Sequence, residues 1–143
     1  MKKVFVDTNV LLDLLLEREP WAQDAALLFS MADRKEVELL CCSLSFSTSI
    51  YLMQRFKYTR KEIVSKLSIV KSICTITTVN EAVIDRMLQS DFADLEDAIQ
   101  YYSALAFGAE TIVTRNTADF AAARIPVLTP QEYIKQQYNL NTL

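Results

Sequence analysis

The segment KVFVDTNVLLDLLLE, residues 3–17, decides the fold class, because a short apolar strand leads directly into a helix. The same alternation continues along the chain. Further strands are predicted at 37–41, 74–79, 111–114 and 127–129, and helices at 21–33, 43–54, 59–72, 80–89, 94–107 and from 130 onward. Strands separated by helices imply a parallel sheet with helices on both faces and right-handed crossovers, an α/β/α sandwich.

Local signals predict where several of these helices begin and end. Candidate N-caps are Ser43 or Ser45 for the third helix, Thr59 for the fourth and Asn80 for the fifth. The helix after residue 94 ends at Gly108, a typical residue for that position. Its apolar residues recur at the spacing of a single helix face: Leu95, Ala98, Ile99, Tyr102 and Ala106.

Length and composition are those of a globular protein. The 143 residues suggest one domain, 1–143, with 51% hydrophobic and 23% charged residues. The longest apolar run, Val10–Leu16, is interrupted by Asp13 and is shorter than the ~20 residues that cross a bilayer. Asp7 and Asp13 also fall where a signal peptide would be apolar. We therefore expect a cytoplasmic protein without a membrane segment.

The residue types present restrict the chemistry. The chain has no histidine, which excludes Ser-His-Asp triads and Cys-His dyads. Three cysteines without a CxxC motif predict buried thiols rather than a zinc site. The net charge of −3 means that a phosphate would need a local basic patch or metal ions.

Three acidic residues follow predicted strands or begin a helix. Asp7 directly follows the first strand, Asp119 comes after the fourth, and Asp97 lies in the first turn of the helix that starts near Asp94. The carboxyl ends of parallel strands share one edge, where open α/β sheets bind ligands. Mg²⁺ and Mn²⁺ prefer such oxygen ligands and promote phosphodiester cleavage without histidine.

Each acid also has a simpler interpretation. Asp7 is a preferred residue for capping the helix that follows it. Asp94 suits an N-cap, and Glu96 and Asp97 would then favour the positive end of the helix dipole. Asn116 or Asp119 would cap a short helix through residue 123. The convergence of three segments on one edge favours a shared site.

These motifs together resemble the PIN domain, a family of metal-dependent ribonucleases. VFVDTNVLLDLLLERE, residues 4–19, resembles the opening strand and first acid of the family. DLEDAIQYYSALAFGAETIVTRNTADF, residues 94–120, resembles its later acidic helix, the next strand and its terminal TxNxxDF element. The resemblance implies a parallel five-stranded sheet, Mg²⁺ or Mn²⁺, and RNA as substrate. Many small members are VapC-type toxins that pair with an antitoxin and are often dimeric.

The resemblance also implies roles for individual residues. Three acids match the family's catalytic metal ligands: Asp7, Asp97 and Asp119. Three polar residues next to these acids match supporting positions of the family: Asn9, Thr114 and Asn116. Two nearby acids could supplement the metal ligands: Asp94 and Glu96.

One position departs from the family pattern. The family usually has a glutamate in the helix after the second strand, and Ser49 stands at that position here. No acid lies between Glu38 and Glu62. A serine hydroxyl is neutral and short, so it reaches a metal only weakly or through water. Binding of a second metal and fast catalysis are therefore less expected than with the glutamate. Asp13 and Glu17 on the first helix are expected to be solvated or paired rather than to compensate.

Substrate contacts are suggested by two basic elements. Arg115 neighbours the acidic edge and is a candidate to orient a phosphate, or to pair with Asp119 or Glu96. Residues 54–61, QRFKYTRK, mix basic and aromatic residues, but a solvated turn with inward aromatics is the favoured interpretation. Trp21 is expected to pack between helices.

The predicted function is a metal-dependent endoribonuclease, the toxin of a toxin–antitoxin pair, with RNA as substrate, a cognate antitoxin as partner and a homodimer as its assembly. The alternative is a weakly catalytic or inactive module on the same fold that binds RNA or a partner protein, as Ser49 would favour. A phosphotransfer enzyme with Asp7 as nucleophile is disfavoured, because Asn9 stands where a second acid is usual.

Overall fold

Five parallel strands form one sheet in the computed structural model, which describes residues 1–141. The strands are β1 Lys3–Val6, β2 Glu38–Cys42, β3 Thr75–Thr77, β4 Thr111–Val113 and β5 Val127–Leu128. Their order in the sheet is β3-β2-β1-β4-β5, and all four neighbouring pairs are parallel. The predicted α/β class and five-stranded parallel sheet are confirmed.

Seven α-helices connect and cover the strands. They are α1 Thr8–Leu15, α2 Ala22–Asp33, α3 Ser43–Arg55, α4 Arg60–Ile73, α5 Glu81–Leu88, α6 Leu95–Ala106 and α7 Pro130–Asn141, and a 3₁₀-helix spans Thr117–Phe120. Among residues 1–141, no helix is long and apolar enough to span a membrane.

Alternating residues of the central strand supply the two halves of the core. Val4 and Val6 pack with α1, α2, α3 and α4 on one face of the sheet. Phe5 packs on the other face with Tyr101 and Ala104 of α6. Because side chains alternate along a strand and both faces of β1 are covered, its last three residues are all apolar and buried. Helices on both faces give the three layers of an α/β/α sandwich.

Most helix starts follow the local signals. Thr59 forms a capping box with Glu62, and Asn80 and Asp94 cap α5 and α6 with their side chains. The prediction for α3 was wrong, since Cys42 occupies its N-cap position and makes no side-chain cap. The Ser45 hydroxyl is buried in a tertiary hydrogen bond to Thr8 instead.

The buried face of α6 matches the predicted one in part. Ala98 is buried and Tyr102 is partly buried, as predicted. Leu95 and Ala106, the first and last residues of the helix, are exposed, whereas Tyr101 and Ala104 are buried. Gly108 follows the helix with φ +83°, as expected for its C′ position. The cysteines are free and buried, as predicted: Cys41, Cys42 and Cys74.

Candidate active site

The candidate site lies where the strand order reverses. After β1 the chain continues to β2 on one side, and β4 later pairs with the other side of β1. Ligands of open α/β sheets bind in the crevice at such a switch point. The Asp7 amide donates to the Val113 carbonyl at 2.9 Å, which extends the pairing by one residue. Asp7 and Thr114 therefore leave their strands side by side.

Asp7 is oriented by Thr114 rather than by helix α1. It occupies the N-cap position of α1, but its side chain makes no cap hydrogen bond. Instead, Thr114 Oγ1 donates to Asp7 Oδ2 at 2.7 Å, and Asp7 is only 6% exposed. The simpler capping interpretation of its carboxylate is thus wrong. Burial raises the pKa of Asp7, while hydrogen bonds from Thr114 and Gln100 lower it and the charge of Asp119 raises it further.

The Thr114 hydroxyl is itself held by two amides. Asn9 Nδ2 donates to Thr114 Oγ1 at 3.3 Å, and the Asn116 backbone N–H donates to the same oxygen at 3.1 Å. The Arg115 backbone N–H donates to Asn9 Oδ1 at 3.4 Å. With both acceptor directions filled, the hydroxyl proton is directed at Asp7. Asn9 and Thr114 thus support Asp7 through their side chains, and Asn116 through its backbone.

Burial and the other acids of the edge raise the pKa of Asp97. Asp94 Oδ1 accepts from the Glu96 and Asp97 amides at 2.9 and 3.2 Å and so starts α6. Burial, followed by the charges of Asp7, Asp94, Asp119 and Glu96, raises the pKa of Asp97 to about 7. A helix dipole alone would lower this pKa. Burial and the neighbouring carboxylates together therefore outweigh the effect of the dipole on this pKa.

Asp119 completes the edge from the 3₁₀-helix. Its backbone N–H donates to the Asn116 carbonyl at 3.0 Å, which closes the turn, and its side chain is exposed. Its charge raises the pKa of both Asp7 and Asp97. The three predicted acids therefore share one local electrostatic environment.

The donor set suits a hydrated divalent ion. Within residues 1–141, no three His, Cys, Asp or Glu side chains are spaced to enclose a metal directly. Mg²⁺ keeps several waters and needs one or two protein carboxylates. Neighbouring carboxylates whose charges raise the pKa of Asp7 and Asp97 fit that requirement, because a cation would relieve their repulsion.

Gln100 was missed by sequence reasoning. It is buried under the acidic edge, and its Oε1 accepts from the backbone and the hydroxyl of Thr8, both at 3.1 Å. Thr8 and Ser45 share a further hydrogen bond of 2.6 Å. A polar residue three positions after Asp97 in an otherwise apolar stretch was the available signal. These contacts fix α1, α3 and α6 relative to each other beneath Asp7.

Ser49 is fully buried one turn after Ser45 on α3. Its exposure is 0%, and its hydroxyl has no hydrogen-bond partner among the described residues. A buried polar group without a partner is unusual. Ser49 follows Ser45, which contacts Thr8 of α1, by four residues, so the two serines share one face of α3.

Arg115 pairs with neither Asp119 nor Glu96, so both predicted pairings were wrong. Its Nε and Nη2 contact Asp13 at 2.6 and 3.2 Å, and Asp13 is 1% exposed. Asp13 is therefore a paired residue, as expected. The Arg115 guanidinium also lies over the Trp21 ring, 4.0 Å from its centroid.

Two aromatic residues are more exposed than predicted. Trp21, at the N-cap of α2, is 42% exposed and lines a cleft with Pro130 and Gln131 of α7. Phe56 is 63% exposed, so the turn at residues 54–61 does not point all of its aromatics inward. Both residues lie in a helix–helix connection, where the apolar pattern does not define an inner face.

Comparison with known proteins identifies the family. The PIN domain family model matches residues 3–118, most of the chain. The chain belongs to the PIN domain family. Ribonuclease VapC1 of Aquifex aeolicus (strain VF5) is 28% identical over 140 residues, which cover 94% of this chain and 95% of that protein.

Solved structures share the PIN fold. A toxin–antitoxin complex from Klebsiella pneumoniae matches with a TM-score of 0.65 and 22% identity, covering 89% of this chain and 97% of the other. VapC20 of Mycobacterium tuberculosis, a toxin that cleaves the sarcin–ricin loop, matches with a TM-score of 0.64 and 12% identity, covering 86% and 98%. At these identities the structures show a common fold, and the expected family is confirmed.

Proposed function

We propose that this PIN domain is a divalent-metal-dependent endoribonuclease that acts as the toxin of a toxin–antitoxin pair. The observation that carries the proposal is the electrostatic coupling of Asp7, Asp97 and Asp119 at the switch point of the sheet. The similarity of this chain to a VapC1 ribonuclease supports the same reaction.

The acidic edge would hold Mg²⁺ or Mn²⁺ through Asp7, Asp97 and Asp119, with Asp94 and Glu96 adding negative charge nearby. Such an ion lowers the pKa of a water that attacks phosphorus and stabilises the charge on the leaving oxygen. Thr114 keeps Asp7 in one orientation through its 2.7 Å hydrogen bond, and Asn9 in turn orients Thr114. The Asn116 backbone N–H donates to the same Thr114 hydroxyl oxygen.

Protein partners are part of the proposal. The matched Klebsiella pneumoniae structure is a toxin–antitoxin complex, which supports a cognate antitoxin for this chain. We also propose a homodimer. Exposed apolar side chains on α3, α4 and their connection support protein contacts there: Ile50, Tyr51, Phe56, Val64 and Ile69.

A second candidate function is a weakly catalytic PIN module that binds RNA or a partner protein. Ser49 favours it, because a neutral serine replaces the family's usual glutamate. Ser49→Glu distinguishes the two: a gain in metal affinity and cleavage would show that this position faces the metal. Ser49→Gln, similar in size but neutral, is the matched control.

Metal binding tests the proposed site. Mn²⁺ titration followed by electron paramagnetic resonance should give weaker binding for Asp7→Asn, Asp97→Asn and Asp119→Asn than for the wild type. Asp85→Asn, which removes an exposed carboxylate on α5, is the control and should bind normally. Wild-type affinity in any of the three variants would remove that residue from the site.

A further inference from the structure

Trp21 is an exposed aromatic residue beside the acidic edge. It is the single tryptophan of the chain, and 42% of its surface is exposed. Tryptophan side chains are on average highly buried, so an exposed ring at an edge that binds ligands indicates a contact surface. Base stacking on such rings is a common element of single-stranded RNA recognition.

The position of the Trp21 ring is fixed by an ion-pair network. Arg115 lies over the ring and is anchored by two contacts to the buried Asp13. Arg18 contacts the same carboxylate at 2.9 Å and donates to the Asn9 carbonyl at 3.2 Å. An aromatic surface held in this way needs little ordering when a ligand binds.

A cleft opens beside this ring. Its volume is about 230 Å³, and it is lined by Trp21, Asp24, Arg115, Thr129, Pro130 and Gln131. That volume is below the ~300–1,000 Å³ typical of pockets for drug-sized ligands, so it suits one planar group. The Asp24 carboxylate disfavours a phosphate there. Hydrogen-bonding groups on the rim instead suit the polar edge of an uncharged base.

The cleft and the acidic edge are joined through the backbone. Arg115 lines the cleft and directly follows Thr114, whose hydroxyl contacts Asp7. The Arg115 amide also contacts Asn9, a neighbour of Asp7. A nucleotide whose base lies in the cleft would therefore place an adjoining phosphate close to the acids.

We propose that an unpaired base of the RNA substrate stacks on Trp21 in this cleft and positions the scissile phosphate at the acidic edge. The inference rests on the proposed ribonuclease function. It assigns Trp21 and the cleft a role in substrate binding, and Arg115 a role in holding the ring.

Fluorescence of the single tryptophan reports directly on this stacking. Asp7→Asn protein in Mg²⁺, which is not expected to cut RNA, is titrated with a single-stranded RNA oligonucleotide, an abasic oligonucleotide of equal length and inorganic phosphate. The RNA should quench the fluorescence, and the other two should not. Equal quenching by the abasic strand, or none by RNA, would overturn the proposal, and the latter result would leave the cleft to a protein partner.

Substitution separates stacking from a structural role. Trp21→Ala should raise the Kd for RNA and the KM for cleavage roughly 5- to 150-fold. Trp21→Phe should retain most of the affinity because it preserves a stacking surface. Tyr138→Ala is the control and should have no effect. It removes an exposed aromatic side chain of α7 that lies about 12 Å along the helix from Pro130 of the cleft. Equal losses in Trp21→Ala and Trp21→Phe would contradict base stacking.

The two proposals fail in different ways. If the wild type cuts RNA and Trp21→Ala keeps its KM, the base site is wrong and the nuclease stands. If the wild type does not cut RNA, but RNA quenches Trp21 and Trp21→Ala weakens binding, the nuclease is wrong and the base site stands.

Discussion

The pKa of the Asp97 carboxyl depends strongly on the residues around it. Asp97 begins a helix, where the dipole favours a negative charge, yet burial and four nearby acids raise its pKa to about 7. The sequence identified Asp97 as a candidate site residue but did not predict its raised pKa. That pKa depends on the distances to Asp7 and Asp119, which come from distant segments of the chain. A group that titrates near neutral pH makes metal binding sensitive to pH, since a metal ligand must be deprotonated.

Asp97 should make the metal-free protein less stable as the pH rises. Its folded-state pKa is about 7 against an ordinary value of 3.8. Between these values the unfolded chain binds fewer protons, so the free energy of unfolding falls with pH. We expect Asp97→Asn to raise the Tm at about pH 8 in chelator, and to have little effect below about pH 4.

Calorimetric melting at both pH values measures this effect. Asp85→Asn is the control for removing an exposed carboxylate. A Tm of Asp97→Asn equal to or below the wild-type value at the higher pH would count against a tight acidic cluster.

Two serines one turn apart should differ in their contribution to stability. Ser45 shares a 2.6 Å hydrogen bond with Thr8, whereas the Ser49 hydroxyl has no partner among the described residues. Ser45→Ala should lower the free energy of unfolding by about 1–2 kcal/mol, because it leaves Thr8 with one partner fewer. Ser49→Ala should be neutral or slightly stabilising.

Urea denaturation of both serine variants measures the difference. If Ser49→Ala destabilised the protein as much as Ser45→Ala, the Ser49 hydroxyl would have a partner in solution.

Helix ends were predictable where the signal is local. Thr59 and Glu62 form a capping box within four residues, and Asn80 and Asp94 cap their helices within three. The start of α3 was not predictable in this way. Ser45 binds Thr8, 37 residues away, so tertiary packing determines its hydrogen bond. Local rules therefore described the ends of elements better than the faces they bury.

Backbone conformation at helix C-termini gives a matched pair of variants. Gly108 has φ +83°, and an added Cβ would lie 3.3 Å from Lys3 Nζ, so Gly108→Ala should cost about 1 kcal/mol or more. Lys57 has φ +64° with a side chain, so Lys57→Gly should be neutral or stabilising. Thermal melts of both proteins test this contrast, and the same sign of change in both would contradict it.

The whole molecule brings together residues that are far apart in sequence. A parallel sheet places strand carboxyl ends at one edge, so the meeting of Asp7 with the segment of Asp119 could be predicted from alternating strands and helices. The pairing of Arg115 with Asp13, 102 residues away, could not. Neither could the exposure of Trp21, because the strand order and the docking of α7 determine where these side chains meet.

Overall charge should make RNA binding weakly dependent on salt. Because the net charge is −3, we expect basic groups to contact only one or two phosphates. For one or two contacts, the slope of log K against log salt should lie between about −0.7 and −1.4. Anisotropy titrations of labelled RNA with Asp7→Asn at several salt concentrations measure the slope. A much steeper slope would reveal an extended basic surface that the proposed site does not include.

The central claim is that the acids at the switch point form one metal-dependent nuclease site. Cleavage of end-labelled RNA tests it most directly, with purified wild type and Asp7→Asn in Mn²⁺, in Mg²⁺ and in chelator. We predict cleavage by the wild type with either metal, none in chelator, and at least a hundredfold loss (order-of-magnitude estimate) in Asp7→Asn. Cleavage that persists in chelator or in Asp7→Asn, or its absence in a folded wild type that binds Mn²⁺, would contradict the claim.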